Sequence, residues 1–341
     1  MSEKGAQVTL MEETSRKMKQ KEKLWELLRK NAKALKEPKN VILLGDLGVG
    51  KSSFINTAIA TLTGKHDYYA FTGSGSKHIT TTFHRISRAD YWNPEDEEDK
   101  LLCFPTFFDI MGLDSQLSTE DEEDTVNSMI MNLIISGKLP ENCDLLDASR
   151  NLKAGKQITD TQEEKSLTVD MIIVVISAET PTIPKALIDE IYYEANIKKK
   201  KIPVFCVLTK VDKCDLSEQE LEDKKIEICE AISITPDRML LCTNYQPGQT
   251  PDVETDLRIL EFMATLCNPR FKTVTLQKAQ FTDPAPPPPP PQPTPASPPA
   301  KETAFWKKVL QWSFVFIVIA FFVNLILQIL FKDKTVYTRN K

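Results

Sequence analysis

The sequence is poor in basic charge and in histidine, and each shortage excludes a class of protein. Its 43 lysines and arginines are outnumbered by 48 aspartates and glutamates, which gives a net charge of -5 at pH 7. Because nucleic-acid-binding proteins are usually basic, we expect no nucleic-acid partner. The three histidines are not spaced like metal ligands, so we expect no metal site built from histidine.

The seven cysteines also lack the pairing of a disulfide or zinc framework. They are odd in number, scattered and without a C-x-x-C motif, at positions 103, 143, 206, 214, 229, 242 and 267. This pattern predicts reduced thiols in a cytosolic domain. Cys206 and Cys242 lie inside apolar runs, so we expect both side chains to be buried.

We also expect no secretory signal, because residues 1–23 are charged and polar without an apolar core. Residues 1–39 are predicted to form a charged amphipathic helix. Its apolar positions are Leu24, Trp25, Leu27, Leu28, Ala32 and Leu35. Such a helix packs either on the main domain or on a partner, and the first alternative is favoured.

Short apolar runs alternate with helical patterns from residue 40 to residue 280. This alternation predicts an α/β domain with a mainly parallel sheet and helices on both faces. Strands are predicted at 40–45, 79–87, 101–109, 168–177, 202–209 and 238–242. Helices are predicted at 50–63, 119–136, 183–196, 216–232 and 253–267. Residues 136–157 are predicted to be an inserted, partly loop-like segment.

The stretch "VILLGDLGVGKSSFINT", residues 41–57, has the spacing of a phosphate-binding loop between a strand and a helix. Glycines let backbone N–H groups surround phosphate oxygens, and the helix adds its positive N-terminal end. The lysine of such a loop reaches the β- and γ-phosphates, and the serine ligates Mg²⁺. We therefore predict a nucleotide site at Gly45, Gly48, Gly50, Lys51, Ser52 and Ser53.

A second motif distinguishes guanine from adenine. In "VFCVLTKVDK" an apolar strand ends at Thr209, Lys210 and Asp212, which matches the T/N-K-x-D guanine-recognition pattern. A carboxylate at Asp212 can accept hydrogen bonds from guanine N1–H and the exocyclic amino group together, whereas adenine offers no such pair of donors. In "LLCTNY" the next strand ends at Thr243 and Asn244, where backbone N–H groups could meet the guanine carbonyl. The predicted ligand is therefore GTP or GDP.

Two further motifs complete a predicted magnesium site. "FFDIMG" places Asp109 at a strand end, where it would hold Mg²⁺ through water, and Gly112 would donate its N–H to the γ-phosphate. "HITTTF" supplies a switch threonine, for which Thr81 is chosen and Thr80 and Thr82 are alternatives. A plain threonine-rich strand is the competing interpretation of that run. The predicted metal ligands are Ser52, Thr81 and Asp109.

Taken in order, "LLGDLGVGKSSFINT", "TTTFHRI", "FFDIMGLD", "LTKVDK" and "CTNY" resemble the interferon-induced protein 44 family. That family is GTPase-like and distantly related to dynamin-type GTPases, and the resemblance covers roughly residues 38–270. It implies a G domain and an association with immune or antiviral responses. By analogy it also implies a homodimer through the nucleotide face.

The usual residues that promote GTP hydrolysis are absent from their expected positions. Small GTPases orient water with a glutamine directly after D-x-x-G, where this sequence has Leu113. Dynamin-like enzymes carry a glutamine, and guanylate-binding proteins an arginine, where this sequence has Leu47 and Gly48. We expect GTP binding with slow intrinsic hydrolysis. Arg85 and Arg88 are weak candidates for a catalytic arginine supplied by a partner or a second copy.

A proline-rich linker is predicted at 281–308. Its segment "PAPPPPPPQPTPASPP" cannot enter a helix or a sheet interior, because proline lacks the backbone donor. We expect a polyproline II stalk about 50 Å long. The stalk is either a spacer or a docking site for proteins that bind proline-rich motifs.

Residues 309–331 contain no charge and as a helix would be about 34 Å long, enough to cross a hydrocarbon layer of about 30 Å. We expect a single transmembrane helix followed by a short basic tail at 332–341, as in tail-anchored proteins. Basic residues on both sides leave the positive-inside rule undecided. GTP supply and free thiols place the G domain, predicted at 40–280, in the cytosol. The endoplasmic reticulum and the mitochondrial outer membrane remain alternatives.

Two function classes follow from these features. The first is a membrane-anchored, GTP-dependent switch with slow hydrolysis. The second is a membrane-tethered scaffold whose nucleotide is structural and whose proline-rich stalk recruits partners.

Overall fold

The computed structural model describes residues 3–72, 82–110, 121–156, 158, 164–193, 202–246, 248–249 and 251–272. Several sequence-based predictions lie outside these residues: Thr81 and its alternative Thr80, Gly112, Leu113, the proline-rich linker, the span at 309–331 and the basic tail.

The described part of the chain contains a six-stranded sheet in the order β2-β3-β1-β4-β5-β6. The strands are β1 Asn40–Leu44, β2 His84–Ile86, β3 Thr106–Asp109, β4 Met171–Ser177, β5 Val204–Thr209 and β6 Met239–Cys242. β2 runs antiparallel to β3, and the other neighbouring pairs are parallel. The predicted α/β fold with a mainly parallel sheet is confirmed. The carboxyl ends of the parallel strands therefore share one edge, where ligands bind in such sheets.

Nine α-helices in the described residues surround the sheet. They are α1 Glu3–Ala34, α2 Lys51–Thr63, α3 Arg88–Tyr91, α4 Glu97–Lys100, α5 Asp121–Ile135, α6 Leu145–Lys153, α7 Lys185–Tyr192, α8 Glu218–Ile232 and α9 Val253–Leu266. The five helices predicted after residue 40 each correspond to an observed helix within a few residues. The last three residues of the helix predicted at 183–196 lie outside the described residues.

Alternate residues of the strands build two hydrophobic cores. On one face, Val41 and Leu43 pack in the cluster that contains the apolar sides of α1, α2 and α9. On the other face, Ile42 and Leu44 pack in the cluster that contains α5, α7 and α8. Because both faces are covered, the strands are continuous apolar runs rather than alternating ones.

Helix α1 packs on the main domain, as favoured from the sequence. Leu28 and Ala32 are fully buried in the core. Asn31 donates a hydrogen bond to the carbonyl of Ala264 in α9 (2.8 Å). Lys21 forms an ion pair with the buried carboxylate of Asp256 in α9 (2.5 Å). These contacts lie about one to three turns apart along one side of the helix.

One predicted strand is shorter in the structure, and two other predictions are refined by it. The strand predicted at 101–109 begins only at Thr106, because Pro105 lacks a backbone donor and α4 ends just before Leu101. Of the strand predicted at 79–87, the described residues form β2 at His84–Ile86. The segment 136–157 contains α6, whose first turn is capped by the Asp144 carboxylate accepting from the N–H groups of Leu146 and Asp147.

All seven cysteines lie in described residues and are free thiols, as predicted. Cys206 and Cys242 are buried. Burial raises the pKa of the Cys206 thiol well above its ordinary value, and it raises the pKa of Cys242 to about 12. Both thiols are therefore uncharged at neutral pH.

In the part of the chain that the structure describes, no helix combines the length and the apolar character needed to cross a membrane.

Candidate nucleotide-binding site

The loop between β1 and α2 has the backbone of a phosphate cradle. Gly48 and Gly50 adopt left-handed conformations, with φ of 74° and 95°, which side-chain-bearing residues rarely adopt. Gly45 is required for another reason, because a Cβ there would lie 2.3 Å from the carbonyl oxygen of Val175. Helix α2 starts at Lys51, and Gly50 supplies no side-chain cap. The first N–H groups of this 13-residue helix are thus directed toward the loop.

Lys51 places a buried amine at the centre of this loop. Its side chain is only 6% exposed, and Nζ donates to the carbonyls of Gly45 (3.1 Å) and Asp46 (3.0 Å). Burial lowers the pKa of Lys51 to about 8, partly opposed by the charges of Asp109 and Asp46. An anion at the loop would favour the charged form of this amine.

Ser52 and Asp109 meet beside the loop. Ser52 Oγ donates to Asp109 Oδ2 (2.7 Å). The other carboxylate oxygen, Oδ1, is buried and has no hydrogen-bond partner among the described residues. Burial raises the pKa of Asp109, while Ser52 and the positive charge of Lys51 act in the opposite direction.

This hydroxyl and carboxylate fit Mg²⁺, which prefers oxygen ligands and usually combines one or two carboxylates with phosphate oxygens and water. Among the described residues, no group of three or more His, Cys, Asp and Glu side chains could hold a metal ion by itself. The nucleotide phosphates would therefore have to complete the coordination. The structure brings Ser52 and Asp109 together, while the third predicted ligand, Thr81, lies outside the described residues.

The loop after β5 lies next to the phosphate loop. The buried Thr209 hydroxyl contacts the carbonyl of Val49 (2.5 Å) and that of Ile176 (3.2 Å). Lys210 adopts a left-handed conformation, with φ of 56°, and Asp212 is exposed in the turn that follows. The carboxylate predicted to recognise guanine is thus accessible, while Thr209 fixes the loop.

The loop after β6 is attached to the same place. Asn244 is buried, and its Nδ2 donates to the carbonyl of Gly50 (3.3 Å). Cys242 Sγ donates to Asn244 Oδ1 (3.3 Å), and Thr243 is half-buried between them. The predicted phosphate and base elements therefore form one site at the carboxyl edge of the sheet. The side chains of Thr209 and Asn244 connect its loops.

Ser53 is half-buried in the first turn of α2, where its carbonyl accepts a hydrogen bond from Thr57 Oγ1 (2.8 Å). Its backbone N–H belongs to the helix start beside the cradle.

The two candidate arginines lie on or after β2. Arg85 is paired in register with Phe108, and its guanidinium lies 3.9 Å from Glu141. Arg88 donates to the carbonyls of Lys100 and Leu102. Since β2 is antiparallel to β3, the chain moves away from the carboxyl edge between these two residues. Their catalytic role stays a prediction.

Sequence reasoning did not select three residues that the structure places at the site. The carbonyl of Asp46 holds Lys51. His84 lies opposite Asp109 in the sheet register, where its charge lowers the pKa of that carboxyl. Glu179 pairs with Lys210 across two loops (2.7 Å). The usable signal for Glu179 was its position shortly after a predicted strand, because such positions share the carboxyl edge.

No protein-family model matches the chain, and no curated protein matches it. Solved structures that are similar to it include the following three. A dimerization-deficient mutant of Toc33 from Arabidopsis thaliana has a TM-score of 0.42 at 12% identity, over 74% of this chain and 92% of its own. A septin GTPase domain from Chlamydomonas reinhardtii has a TM-score of 0.31 at 17% identity, over 57% of this chain and 59% of its own.

The third structure is Era from Aquifex aeolicus bound to GDP and AlF4-. It has a TM-score of 0.31 at 14% identity, over 61% of this chain and 51% of its own. Likenesses this distant do not identify a ligand or an activity for this chain.

Proposed function

We propose that the protein binds GTP and GDP with Mg²⁺. The observation that carries the proposal is the junction of three loops at one sheet edge. The phosphate loop is connected to the loop after β5 by Thr209 and to the loop after β6 by Asn244. The junction connects the loop that carries the buried amine of Lys51 to the loop that carries the accessible carboxylate of Asp212.

Each part of this junction has a distinct role in binding. The backbone of residues 45–50, the start of α2 and the Lys51 ammonium bind the phosphates. Bound Mg²⁺ would neutralise phosphate charge, and Ser52 and Asp109 are the described residues that would hold it. Asp212 accepts from guanine N1–H and the amino group, which gives preference over adenine.

The proposal is tested by changing the base preference. In Asp212→Asn, the amide can still accept from N1–H, but it donates where guanine also donates. We expect this variant to bind GDP at least about tenfold more weakly than the wild type does. It should instead gain affinity for xanthosine diphosphate, whose C2 carbonyl accepts the new donor. Isothermal titration of both nucleotides measures the change.

Asp215→Asn is the matched control, because Asp215 is also exposed in the chain after β5 but lies outside the motif. It should bind GDP like the wild type. Equal affinity of the wild type for GDP and ADP would refute guanine recognition.

We infer that the bound nucleotide acts as a slow switch. Leu47, Gly48 and Leu113 offer no side chain that could orient water or stabilise transition-state charge, so we expect rapid hydrolysis to need an arginine supplied by a partner or a second copy. The alternative is a scaffold with a structural nucleotide. A Lys51→Ala variant that binds no nucleotide but recruits the same partners to membranes would support the scaffold instead.

We also propose that residues 309–331 tether the protein to the endoplasmic reticulum or the mitochondrial outer membrane, with the G domain in the cytosol. The uncharged length of this segment supports the proposal. Protease added to intact membranes should remove the G domain, and protection of that domain would contradict this topology. A role in immune or antiviral responses rests on the resemblance to the interferon-induced protein 44 family.

A further inference from the structure

An ion pair connects the guanine-recognition loop to the loop after β4. Lys210 Nζ donates to Glu179 Oε2 at 2.7 Å. The Lys210 side chain is 29% exposed, and that of Glu179 is 44% exposed. The hydrogen bond from Lys210 is the main reason why the pKa of Glu179 lies below its ordinary value. The tip of the lysine side chain is therefore held at one point on the surface.

Glu179 sits on a backbone that is fixed from several sides. The N–H of Ala178 donates to the carbonyl of Thr209 (2.8 Å), and the N–H of Glu179 donates to Ser177 Oγ (3.2 Å). Lys224 of α8 donates to the carbonyls of Ala178 (2.9 Å) and Thr180 (2.6 Å). Because β4, β5 and α8 all hold this loop, the glutamate is the fixed partner and orients the lysine.

We infer that Glu179 is a positioning residue for the guanine base. It acts through Lys210, because the aliphatic stem of the lysine in the guanine-recognition motif would lie over the purine plane of a bound nucleotide. A free lysine side chain samples many rotamers and loses this freedom when it is ordered. With its ammonium held by Glu179, the stem is ordered before the nucleotide arrives. The inference rests on the proposed guanine-nucleotide binding and extends it to a residue outside the motif.

This role predicts an effect on base binding with little effect on folding. Exposed ion pairs contribute little to stability, so loss of the Glu179 carboxylate should leave thermal unfolding almost unchanged. The phosphates bind near Lys51, in a different loop. The affinity for a ligand without a base should therefore be the same with and without the Glu179 carboxylate.

The experiment compares Glu179→Gln with the wild type, as full chains in detergent, by titration with GDP and with inorganic tripolyphosphate. We expect the dissociation constant for GDP to rise about 3- to 10-fold and that for tripolyphosphate to stay the same. In a Lys210→Met background, Glu179→Gln should have no further effect on GDP, because the partner is absent. Glu222→Gln is the matched control, since Glu222 forms an exposed ion pair with Lys225 within α8 (3.0 Å); it should bind GDP like the wild type.

The outcomes separate this inference from the function on which it rests. A wild type that does not bind GDP overturns both. A wild type that binds GDP while Glu179→Gln binds it equally well overturns the positioning role alone. Equal weakening for GDP and tripolyphosphate also overturns it, because the effect would then not act through the base.

Discussion

At the residue scale, the buried amine of Lys51 links folding of the empty protein to its ligand. Removing an amine from water disfavours the charged form, and the two carbonyls at 3.1 and 3.0 Å only partly replace the lost hydration. Nucleotide phosphates would supply the missing negative charge. Burial of this amine therefore destabilises the empty protein, and a bound phosphate would offset that cost.

This arrangement gives a pH-dependent prediction for Lys51→Met. Burial lowers the pKa of Lys51 from its ordinary value of 10.5 to about 8, so between these values the unfolded chain binds more protons at this residue than the folded chain. The contribution of Lys51 therefore makes the empty protein more stable as the pH rises through that range. We expect nucleotide-free Lys51→Met to be more stable than the wild type at pH 7 by about 1 to 3 kcal/mol. The difference should narrow toward pH 10.

Urea denaturation of nucleotide-free protein from pH 7 to pH 10 measures that difference. Lys65→Met, a change at an exposed lysine just after α2, controls for the loss of an ordinary lysine. A difference in unfolding free energy that stays constant across this pH range would contradict the lowered pKa of Lys51 as its cause. Lys51→Met should also lose measurable binding of GDP.

At the element scale, one buried carboxylate links α1 to residues that follow the site loops. Asp256 of α9 is 4% exposed. Its Oδ1 accepts from Tyr245 (2.8 Å) and Thr61 (3.0 Å), and its Oδ2 accepts from Lys21 of α1 (2.5 Å). Tyr245 directly follows Asn244, and its N–H donates to Thr57 in α2 (3.0 Å). Through Asp256, helix α1 is therefore linked to Tyr245 in the loop after β6 and to Thr61 in α2.

Lys21→Met should destabilise the protein, because it removes the only positive charge seen on Asp256 in the described residues while leaving the carboxylate buried. Removing one partner of a fully buried pair costs several kcal/mol, but Lys21 is one-third exposed. We therefore expect a loss of about 1 to 2 kcal/mol in urea denaturation.

Lys17→Met is the control, one turn earlier on the same helix, since Lys17 pairs with the exposed carboxylates of Glu13 and Glu254. It should unfold like the wild type. Equal destabilisation by both substitutions would show that the helix, rather than the buried carboxylate, is sensitive to lost charge.

At the scale of the whole molecule, slow hydrolysis follows from what each loop contributes to the proposed site. The described residues offer groups suited to phosphate and magnesium in that proposed site, while Arg85 and Arg88 contact Glu141 and backbone carbonyls elsewhere. A dilute preparation should therefore hydrolyse GTP at a rate on the order of 10⁻³ s⁻¹ or slower, as GTPases without a supplied arginine do.

Measuring GTP turnover at low and high protein concentration tests this prediction. Rapid hydrolysis by dilute monomer would show that the chain contains an unrecognised catalytic residue. A rate per molecule that rises with concentration and falls in Arg85→Ala would identify an arginine supplied by a second copy. Arg88→Ala is less suitable, because it also removes hydrogen bonds to the carbonyls of Lys100 and Leu102.

Much of the site was predictable because its requirements are local. Glycine at residues 45, 48 and 50 meets needs for close approach or left-handed backbone that few other residues satisfy. Lys51 and Ser52 follow at a spacing fixed by the geometry of the loop. The buried strands were recognised because both faces of each are covered, which leaves an uninterrupted apolar run. Elements of this kind depend on residue type and near neighbours.

Other features were decided only by contacts between distant parts of the chain. Thr209 and Asn244 bond to the phosphate loop rather than presenting free side chains.

The pairing of Glu179 with Lys210 and that of Lys21 with Asp256 join residues 31 and 235 positions apart. The sequence determined the phosphate loop and the layers of the fold, since these depend on backbone conformation and on the periodicity of apolar residues. The tertiary structure decided which polar groups meet, because hydrogen bonds and ion pairs require atoms within about 3 Å, and only the folded sheet brings these residues that close.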